Sequence, residues 1–244
     1  MKKIASNLVL ELALIFALST LFSASILSAE TITVKDAKAA LFEVIDTYEP
    51  GAPVSEELTA RIDAAAKVLE QAAGQPPELA KMTNMLTGQW ASLFSSQGIV
   101  GEIDMAFMTR AHPGGGVAGG KATSHMVLQE LNPEKRFYRN MMVMSAGEND
   151  TQLLHIATAD LGLAEDQPNV LEVSFRRIEF VPANAQVNLA QLRAVLDLPE
   201  DAHLAIDIPQ IPDRPASRST VSYLDEDLRI NRGKSYIAIL QKVQ

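Results

Sequence analysis

The sequence predicts a mostly β protein in which two helices precede a series of short strands. Three observations carry this prediction. Apolar residues within positions 34–73 recur at the spacing of one helical face. After Trp90, short runs of alternating apolar and polar residues follow one another, with turn-forming residues between them. The chain closes on three such runs, which indicates an antiparallel meander.

The amino-terminal part predicts a pair of helices over residues 34–48 and 55–73. Ser55 stands where an N-cap residue is expected, and Gly74 stands where a helix ends. The simplest interpretation is that the two helices plug or flank the β part of the protein. A helical arm that binds a partner is the alternative.

Strand-like runs at short intervals argue for a sandwich or a barrel, and a barrel removes exposed sheet edges. A helical turn over residues 189–196 interrupts the series. The predicted strands cover residues 90–94, 102–109, 124–130, 136–144, 151–159, 170–181 and 203–208, with three more in the closing meander.

The closing meander has two turns rich in charge and glycine. Aspartate favours turns because its side chain accepts local backbone hydrogen bonds, so Asp225 and Asp227 are predicted to be structural. Arg229 and Arg232 are their candidate ion-pair partners, and a ligand-binding role for the acids is the alternative. The alternating pairs are Val221 and Tyr223, Leu228 and Ile230, and Ile237 and Ile239, with turns over residues 225–227 and 231–234.

Composition excludes several classes of protein. The chain has 244 residues and no cysteine, which removes disulfides, thiolate zinc sites and cysteine nucleophiles. Its net charge of −9 makes nucleic acid an improbable partner, because phosphate binding needs a basic surface. Hydrophobic residues make up 47% of the chain, which is enough for one substantial core.

The first residues predict export. Lys2 and Lys3 precede a charge-free stretch over residues 12–29, and cleavage is expected after Ala29. An uncleaved anchor is the alternative, because about 18 uncharged residues are marginally enough to span a bilayer. The Met-Lys-Lys start favours a periplasmic protein, or one peripheral on a membrane that faces the periplasm.

No catalytic motif is found in the sequence. The glycine-rich stretch over residues 112–123 resembles a phosphate-binding loop, but Ala122 stands where such a loop needs Ser or Thr, and strand-like residues follow. A hairpin loop at a barrel mouth is the preferred interpretation. The Gly-x-Ser-x-Gly elbow of serine hydrolases is missing. We therefore expect no enzyme and no cofactor.

The histidines do not predict a metal site. His112, His125, His155 and His203 lack the short spacing of paired ligands. His125 and His155 fall in alternating segments and could face a cavity, but histidines with satisfied hydrogen bonds in the core or on the surface are the simpler interpretation.

Methionines are frequent on the predicted strands. Flexible thioethers fill irregular space and line adaptable apolar pockets. Ordinary core filling is the preferred interpretation, and the lining of a cavity for a long apolar ligand is the other. The residues concerned are Met105, Met108, Met126, Met141, Met142 and Met144.

Two segments of the sequence carry recognisable motifs. The segment from Tyr223 to Gly233 reads Tyr-Leu-Asp-x-x-Leu-Arg-Ile-x-Arg-Gly, and it resembles the closing stretch of the plastid lipid-associated protein (fibrillin) family. Upstream, Gly88-Gln-Trp90 resembles the family's Leu-x-Gly-x-Trp-x-Leu element, and also the start of the first lipocalin strand. In lipocalins an arginine from a late strand covers this tryptophan, and Arg229 or Arg232 would take that part here.

The resemblance implies a lipocalin-like antiparallel β-barrel preceded by two helices. The expected organisation is a signal peptide over residues 1–29, a helical segment over 30–80 and a barrel over 81–244. Non-catalytic binding of a lipid, fatty acid, isoprenoid quinone or carotenoid in the barrel is the implied function. A protein that coats a membrane or a lipid particle is the alternative, and a hydrolase is the third and weakest.

The resemblance also points to particular residues. Trp90, Tyr223, Arg229 and Arg232 are the predicted ligand-binding residues. Asp225, Asp227 and Gly233 are predicted to shape the turns, and no metal ligand is predicted. The expected partner is a hydrophobic small molecule or a lipid, with peripheral membrane association as a further expectation.

Overall fold

The computed structural model describes residues 32–98, 100–104, 121–210 and 215–243. Helices occur before the first strand and between the sixth and seventh strands. They are α1 (Val34–Ile45), α2 (Glu56–Ala73), a 3-10 turn (Leu79–Lys81), α3 (Thr83–Leu86) and α4 (Leu189–Val195).

In the described part of the chain, the strands match the predicted series in number and order. Those in the described part of the chain are β1 (Gly88–Ser95), β2 (Gly101–Asp104), β3 (Lys121–Asn132), β4 (Phe137–Ala146), β5 (Thr151–Leu163), β6 (Val170–Pro182), β7 (Ala205–Asp207), β8 (Ser217–Leu224), β9 (Leu228–Arg232) and β10 (Ile237–Lys242). Part of the predicted strand over residues 102–109 and most of the glycine-rich stretch lie outside the described residues, as do Met105, Met108, His112 and the predicted signal peptide.

Within the described residues, eight strands close an antiparallel barrel. Their order around the barrel is β1, β10, β9, β8, β6, β5, β4 and β3, and β3 pairs back with β1. The short strands β2 and β7 extend the sheet along β3 and β6. Barrel strands that follow one another in sequence are neighbours, which is the up-and-down arrangement of lipocalin barrels. The predicted antiparallel barrel is confirmed.

The two long helices pack on the outside of the barrel. Their apolar stripes lie in one cluster with residues from alternate positions of β9 and β10, such as Ile230 and Ile239. The intervening residues of β10, Ala238 and Leu240, belong to a different cluster, inside the barrel. Because side chains alternate across a strand, the helices flank the barrel and do not plug it.

Local signals set the ends of these helices. Ser55 caps α2 by accepting a hydrogen bond from the Leu58 backbone N–H at 3.1 Å, and Gly74 ends it with φ of +82°.

The helices and the barrel belong to one compact unit, Val34–Gln244. Among the described residues, no helix has the length and apolar character needed to cross a membrane.

Short helices lie at the two ends of the barrel. At the end where β1 begins, Leu79 and Leu86 pack with Trp90 in the inner cluster. At the other end, Leu192 of α4 and Leu196, which directly follows α4, pack on Met144 and on other inner residues of β4, β5 and β6. The barrel interior therefore holds two apolar clusters, one near each end.

Candidate ligand site in the barrel interior

Trp90 is fully buried at the end of the barrel where β1 begins, which we call the closed end because Leu79 and Leu86 pack with the indole there. Its indole Nε1–H donates to the Leu86 carbonyl at 3.0 Å, which ties α3 to the first strand. The guanidinium carbon of Arg229 lies 4.9 Å from the indole centroid, and Lys242 Nζ lies 5.3 Å from it. An arginine from a late strand therefore covers the tryptophan, in the geometry of a cation–π contact.

Arg229 is fully buried beside this indole. Its Nη2–H donates to Gln129 Oε1, whereas Nε and Nη1 have no acceptor among the described residues. Burial lowers the pKa of Arg229 to about 10, although interactions with Tyr138 and Tyr236 oppose the shift. Burial likewise raises the pKa of Tyr138 to about 12. The closed end thus holds a buried cation with unused hydrogen-bond donors.

Further polar side chains face the interior of the barrel. Residues directly opposite each other on paired strands lie on the same face, so Gln129, opposite Trp90 and Asn140, faces inward. Several of these side chains have buried polar atoms without a partner in the described structure: Ser124 Oγ, Asn140 Oδ1, His155 Nδ1 and Asn231 Oδ1. We call Ser124, Gln129, Asn140, His155, Arg229 and Asn231 the polar band.

The interior is not one continuous packed core. Several inward-facing side chains in the described part of the chain are only half-buried, although the strands that carry them are paired on both sides; among them are Gln129, Asn140, Met142, Phe175 and Ile178. The apolar residues inside the barrel form two separate clusters, and much of the polar band lies between them. A folded core normally satisfies its buried polar groups, so the partners missing here indicate a site for a ligand or for water.

His155 is the buried histidine of the polar band. Its ring centroid lies 5.2 Å from that of Phe180, and burial lowers its pKa to about 4. The imidazole is therefore neutral near pH 7. His155 is not a core histidine with satisfied hydrogen bonds, because its Nδ1 lacks a partner in the described structure. By contrast, His125 Nε2 lies 2.9 Å from Ser145 Oγ.

Tyr223 and Arg232 do not face the interior. Tyr223 belongs to the cluster under the helices, and its hydroxyl donates to Asp225 Oδ2 at 2.6 Å. Arg232 donates to Asp63 and to Glu70 on α2. Of the four predicted ligand-binding residues, the structure brings only Trp90 and Arg229 together inside the barrel.

A β-bulge accounts for the position of Tyr223. The pairing of β8 with β9 shifts register between Val221 and Tyr223, so these two residues lie on opposite faces despite being two positions apart. Val221 faces the interior and Tyr223 faces the helices. Simple period-two alternation would place both on one face, and it therefore misplaces Tyr223.

Asp225 shapes the turn between β8 and β9. Its Oδ1 accepts from the backbone N–H groups of Asp227 at 3.1 Å and Leu228 at 2.7 Å, while its Oδ2 accepts from Lys38 at 2.8 Å. Asp227 also pairs with Lys38. Burial alone would raise the pKa of Asp225, but the hydrogen bonds, from Lys38 first, lower it to about 2.

The predicted ion pairs between these acids and Arg229 or Arg232 are wrong, because α1 supplies the cation instead. Arg229 lies inside the barrel, and Arg232 pairs with α2. In the next turn, a Cβ added to Gly233 would lie 1.9 Å from Tyr236 Cε1, so only glycine fits beside that ring. Asp225, Asp227 and Gly233 thus belong to the turns and lie away from the polar band.

The methionines divide between the two faces of the sheet. Met144 is fully buried, and Met142 packs against the same cluster beside α4. Met126 is 47% exposed, and Met141 lies opposite Leu128 on the outer face. Met144, opposite Ser124, fills core space beside the polar band, and the half-buried Met142 lies opposite His155 of that band.

Sequence reasoning missed most of the polar band. Gln129 and Asn140 stand two positions from the buried residues Leu131 and Tyr138, in phase with the inward side of their strands. A polar residue at an inward position is the signal that could have found them. Reading that signal requires the inner face to be known for each strand.

The fold and the site together define a closed up-and-down β-barrel with two flanking helices and a polar band inside. The PAP_fibrillin family profile matches residues 35–241, and the chain belongs to this family. The resemblance seen in the sequence is thereby confirmed.

The chain is also similar to a solved lipocalin-like protein from Bacteroides uniformis ATCC 8492. The two share 11% sequence identity with a TM-score of 0.28, and the match covers 65% of this chain and 99% of that chain. Among curated proteins, no sequence matches this chain significantly.

Proposed function

We propose that this protein binds one hydrophobic small molecule with a polar head group inside its barrel, without catalysing a reaction. The polar band carries the proposal. Buried polar atoms that lack partners cost about 1 to 3 kcal/mol each, and a ligand's polar group would satisfy some of them. Candidate ligands are a lipid, a fatty acid, an isoprenoid quinone or a carotenoid.

The apolar clusters supply the remaining contacts for such a ligand. Burying roughly 300 Å² of hydrocarbon would contribute about 7 kcal/mol before the cost of association, at the usual 25 cal/mol per Å². A gain of about 7 kcal/mol on its own corresponds to a Kd of about 10 μM, and hydrogen bonds between the polar band and the head group would offset the cost of association. The ligand would lie along the interior between the Trp90 cluster and the Met144 cluster.

Two variants on neighbouring positions of β5 test whether the ligand lies inside. Ala157 faces inward opposite Asn140, and Thr158 faces outward. We expect Ala157→Leu to weaken the binding of a fluorescent fatty acid at least tenfold, because the new side chain fills the site. Thr158→Leu, the matched control, should bind like the unmodified protein.

The stoichiometry of binding completes this test. Native mass spectrometry of the purified protein should find one lipid-sized molecule per chain. Equal binding by both β5 variants, or no saturation at one per chain, would overturn the proposal.

A second candidate function is the coating of a membrane or lipid particle, and an apolar patch on the outer face favours it. Met126, Val143 and Leu154 lie side by side on β3, β4 and β5. Leu128 and Met141 lie side by side in the neighbouring row of the same face. Such a patch would rest on neutral lipid rather than on anionic headgroups, given the net charge of −9. This candidate would be favoured if the protein floats with phosphatidylcholine vesicles and the Val143→Asp variant does not. The protein should then show no saturable binding of a single ligand.

Export belongs to the same proposal. The Lys-Lys start and the charge-free stretch over residues 12–29 support a mature protein that begins near Glu30, in the periplasm or on a membrane facing it. Amino-terminal sequencing of the exported protein tests this. Recovery of Met1 on a membrane-integrated chain would overturn it.

A further inference from the structure

We infer that the ligand is an amphipathic acid whose anionic head binds Arg229 at the closed end of the barrel, with its hydrocarbon chain directed towards α4. This inference rests on the proposed function and specifies the ligand class. It also gives the ligand a direction, head first into the barrel.

The first argument is the unused bonding capacity of Arg229. A guanidinium has five N–H donors and no acceptor. Here only Nη2 has an acceptor, Gln129 Oε1, and Nε and Nη1 have none in the described structure. The side chain is fully buried, so bulk water does not replace the missing acceptors.

The second argument is charge. The described arginines that form ion pairs do so with carboxylates near the surface, as Arg232 does with Glu70 and Arg218 does with Asp166. Arg229 differs from them. No described carboxylate pairs with Arg229, and the groups it interacts with, Gln129, Trp90, Tyr138 and Tyr236, are neutral. Lys242, which contacts the same indole, adds positive charge. An isolated buried cation carries a penalty of several kcal/mol. A neutral head group would satisfy hydrogen bonds but leave this charge uncompensated, whereas an anion compensates it.

The third argument is the surroundings of the cation. Arg229 contacts Trp90, which belongs to the inner apolar cluster that also includes Leu131 and Leu161. The half-buried residues Asn140 and Met142 continue the interior from there towards α4. A free inorganic anion would satisfy Arg229 but leave this space without apolar contacts. A carboxylate or phosphate on a hydrocarbon chain would pair with Arg229 and would also make apolar contacts in the rest of the interior.

The test compares palmitate, hexadecanol and inorganic phosphate on the full mature protein. We expect palmitate to bind at least tenfold more tightly than hexadecanol. The ¹³C-carboxyl signal of bound palmitate should not titrate between pH 8 and pH 5, because the arginine holds the acid in its ionised form. Phosphate at millimolar concentration should compete weakly or not at all.

Each other outcome has a definite meaning. Equal affinity for the alcohol, or a carboxyl signal that titrates as in water, overturns the inference and leaves the proposed function standing. Strong binding of phosphate that excludes palmitate overturns the assignment of a lipid acid. Saturable binding of neither palmitate nor hexadecanol overturns the proposed function itself.

Two arginine variants test where the head group of the ligand binds. Arg229→Gln keeps hydrogen-bond donors but removes the charge, and it should lose the preference for palmitate while still binding hexadecanol. Arg232→Gln is the matched control on the same strand, facing α2, and should keep the full preference. An unchanged preference in Arg229→Gln would overturn the inference. If that variant does not fold, the carboxyl titration on the unmodified protein decides.

Discussion

Trp90 and Arg229 combine structural and ligand-binding roles in a single contact. The indole is held from one side by its hydrogen bond to Leu86 and is covered by the guanidinium at 4.9 Å. A cation–π contact of this kind contributes about 2 kcal/mol when desolvated, which offsets part of the cost of burying the charge. The contact therefore stabilises the closed end while leaving two guanidinium nitrogens free for a ligand.

Replacing Trp90 by Ala should destabilise the protein by about 3 to 5 kcal/mol, because a fully buried indole leaves a large cavity. Trp90→Phe should cost less, since it keeps most of the apolar area and loses mainly the Nε1 hydrogen bond. Trp90 is the single tryptophan, so chemical unfolding must be followed by circular dichroism. Loss of less than about 1 kcal/mol in Trp90→Ala would contradict the observed burial.

Asp225 should make the free energy of unfolding depend on pH. Its folded pKa of about 2 lies below the ordinary value of 3.8, so its contribution is present above about pH 4 and is lost as pH falls towards 2. The carboxyl group is partly exposed, which limits the contribution to about 1 kcal/mol after solvent screening. Comparing the unfolding free energy of Asp225→Asn and the unmodified protein from pH 7 to pH 2 should show a gap that closes on acidification. A constant gap would contradict the assignment.

Strand β9 shows how one element serves two sides of the barrel. Arg229 points inward to Trp90, and Ile230 points outward to the helices. Arg232, also outward, holds α2 through Asp63 and Glu70. A motif that looks like one charged segment in the sequence therefore contributes to two different environments.

The ion pairs of Arg232 should stabilise the attachment of α2 without affecting ligand binding. We expect Arg232→Gln to lower the unfolding free energy by about 1 to 2 kcal/mol, because Arg232 and its partners Asp63 and Glu70 are half-buried and form charge-assisted hydrogen bonds. Arg218→Gln is the control, since its exposed pairs are each expected to contribute about 0 to 1 kcal/mol. Urea unfolding compares the two. An equal effect in both variants would contradict this role.

At the scale of the whole molecule, closure of the barrel and the flanking helices leave an interior that is apolar at both ends. Because the strands pair all the way round the barrel, their backbone N–H and C=O groups are hydrogen-bonded even where side chains do not fill the interior. A protein of this kind gains stability when a ligand completes the interior.

Ligand binding should therefore raise the melting temperature. At a free ligand concentration of one hundred times Kd, linkage predicts a gain of about 2.7 kcal/mol. For a domain of this size that corresponds to roughly 5 to 10 °C. Differential scanning calorimetry with and without palmitate measures the shift. No shift at saturating palmitate would count against an interior site and favour the outer apolar patch.

The strands and helices could be predicted from the sequence because their signals are local. The alternation of β3 to β6, the Ser55 cap and the Gly74 stop depend on neighbours within a few residues. The closing segment from Tyr223 to Gly233 and the Gly88-Gln-Trp90 element were sufficient for the family and the antiparallel barrel. The pairing of Trp90 with a late arginine also followed from that resemblance.

By itself, the sequence determined the two long helices, the order of the strands and the family, whereas the 3-10 turn and α3 before β1 were not predicted. Only the tertiary structure decided which side of the barrel each residue faces. Strand register and bulges depend on pairing between distant residues, so Tyr223 turned outward, Asp225 met Lys38 of α1, and Gln129 met Arg229 across 100 positions. The polar band exists for the same physical reason. Its members come from four strands, and only closure of the barrel brings their polar atoms to one interior away from water.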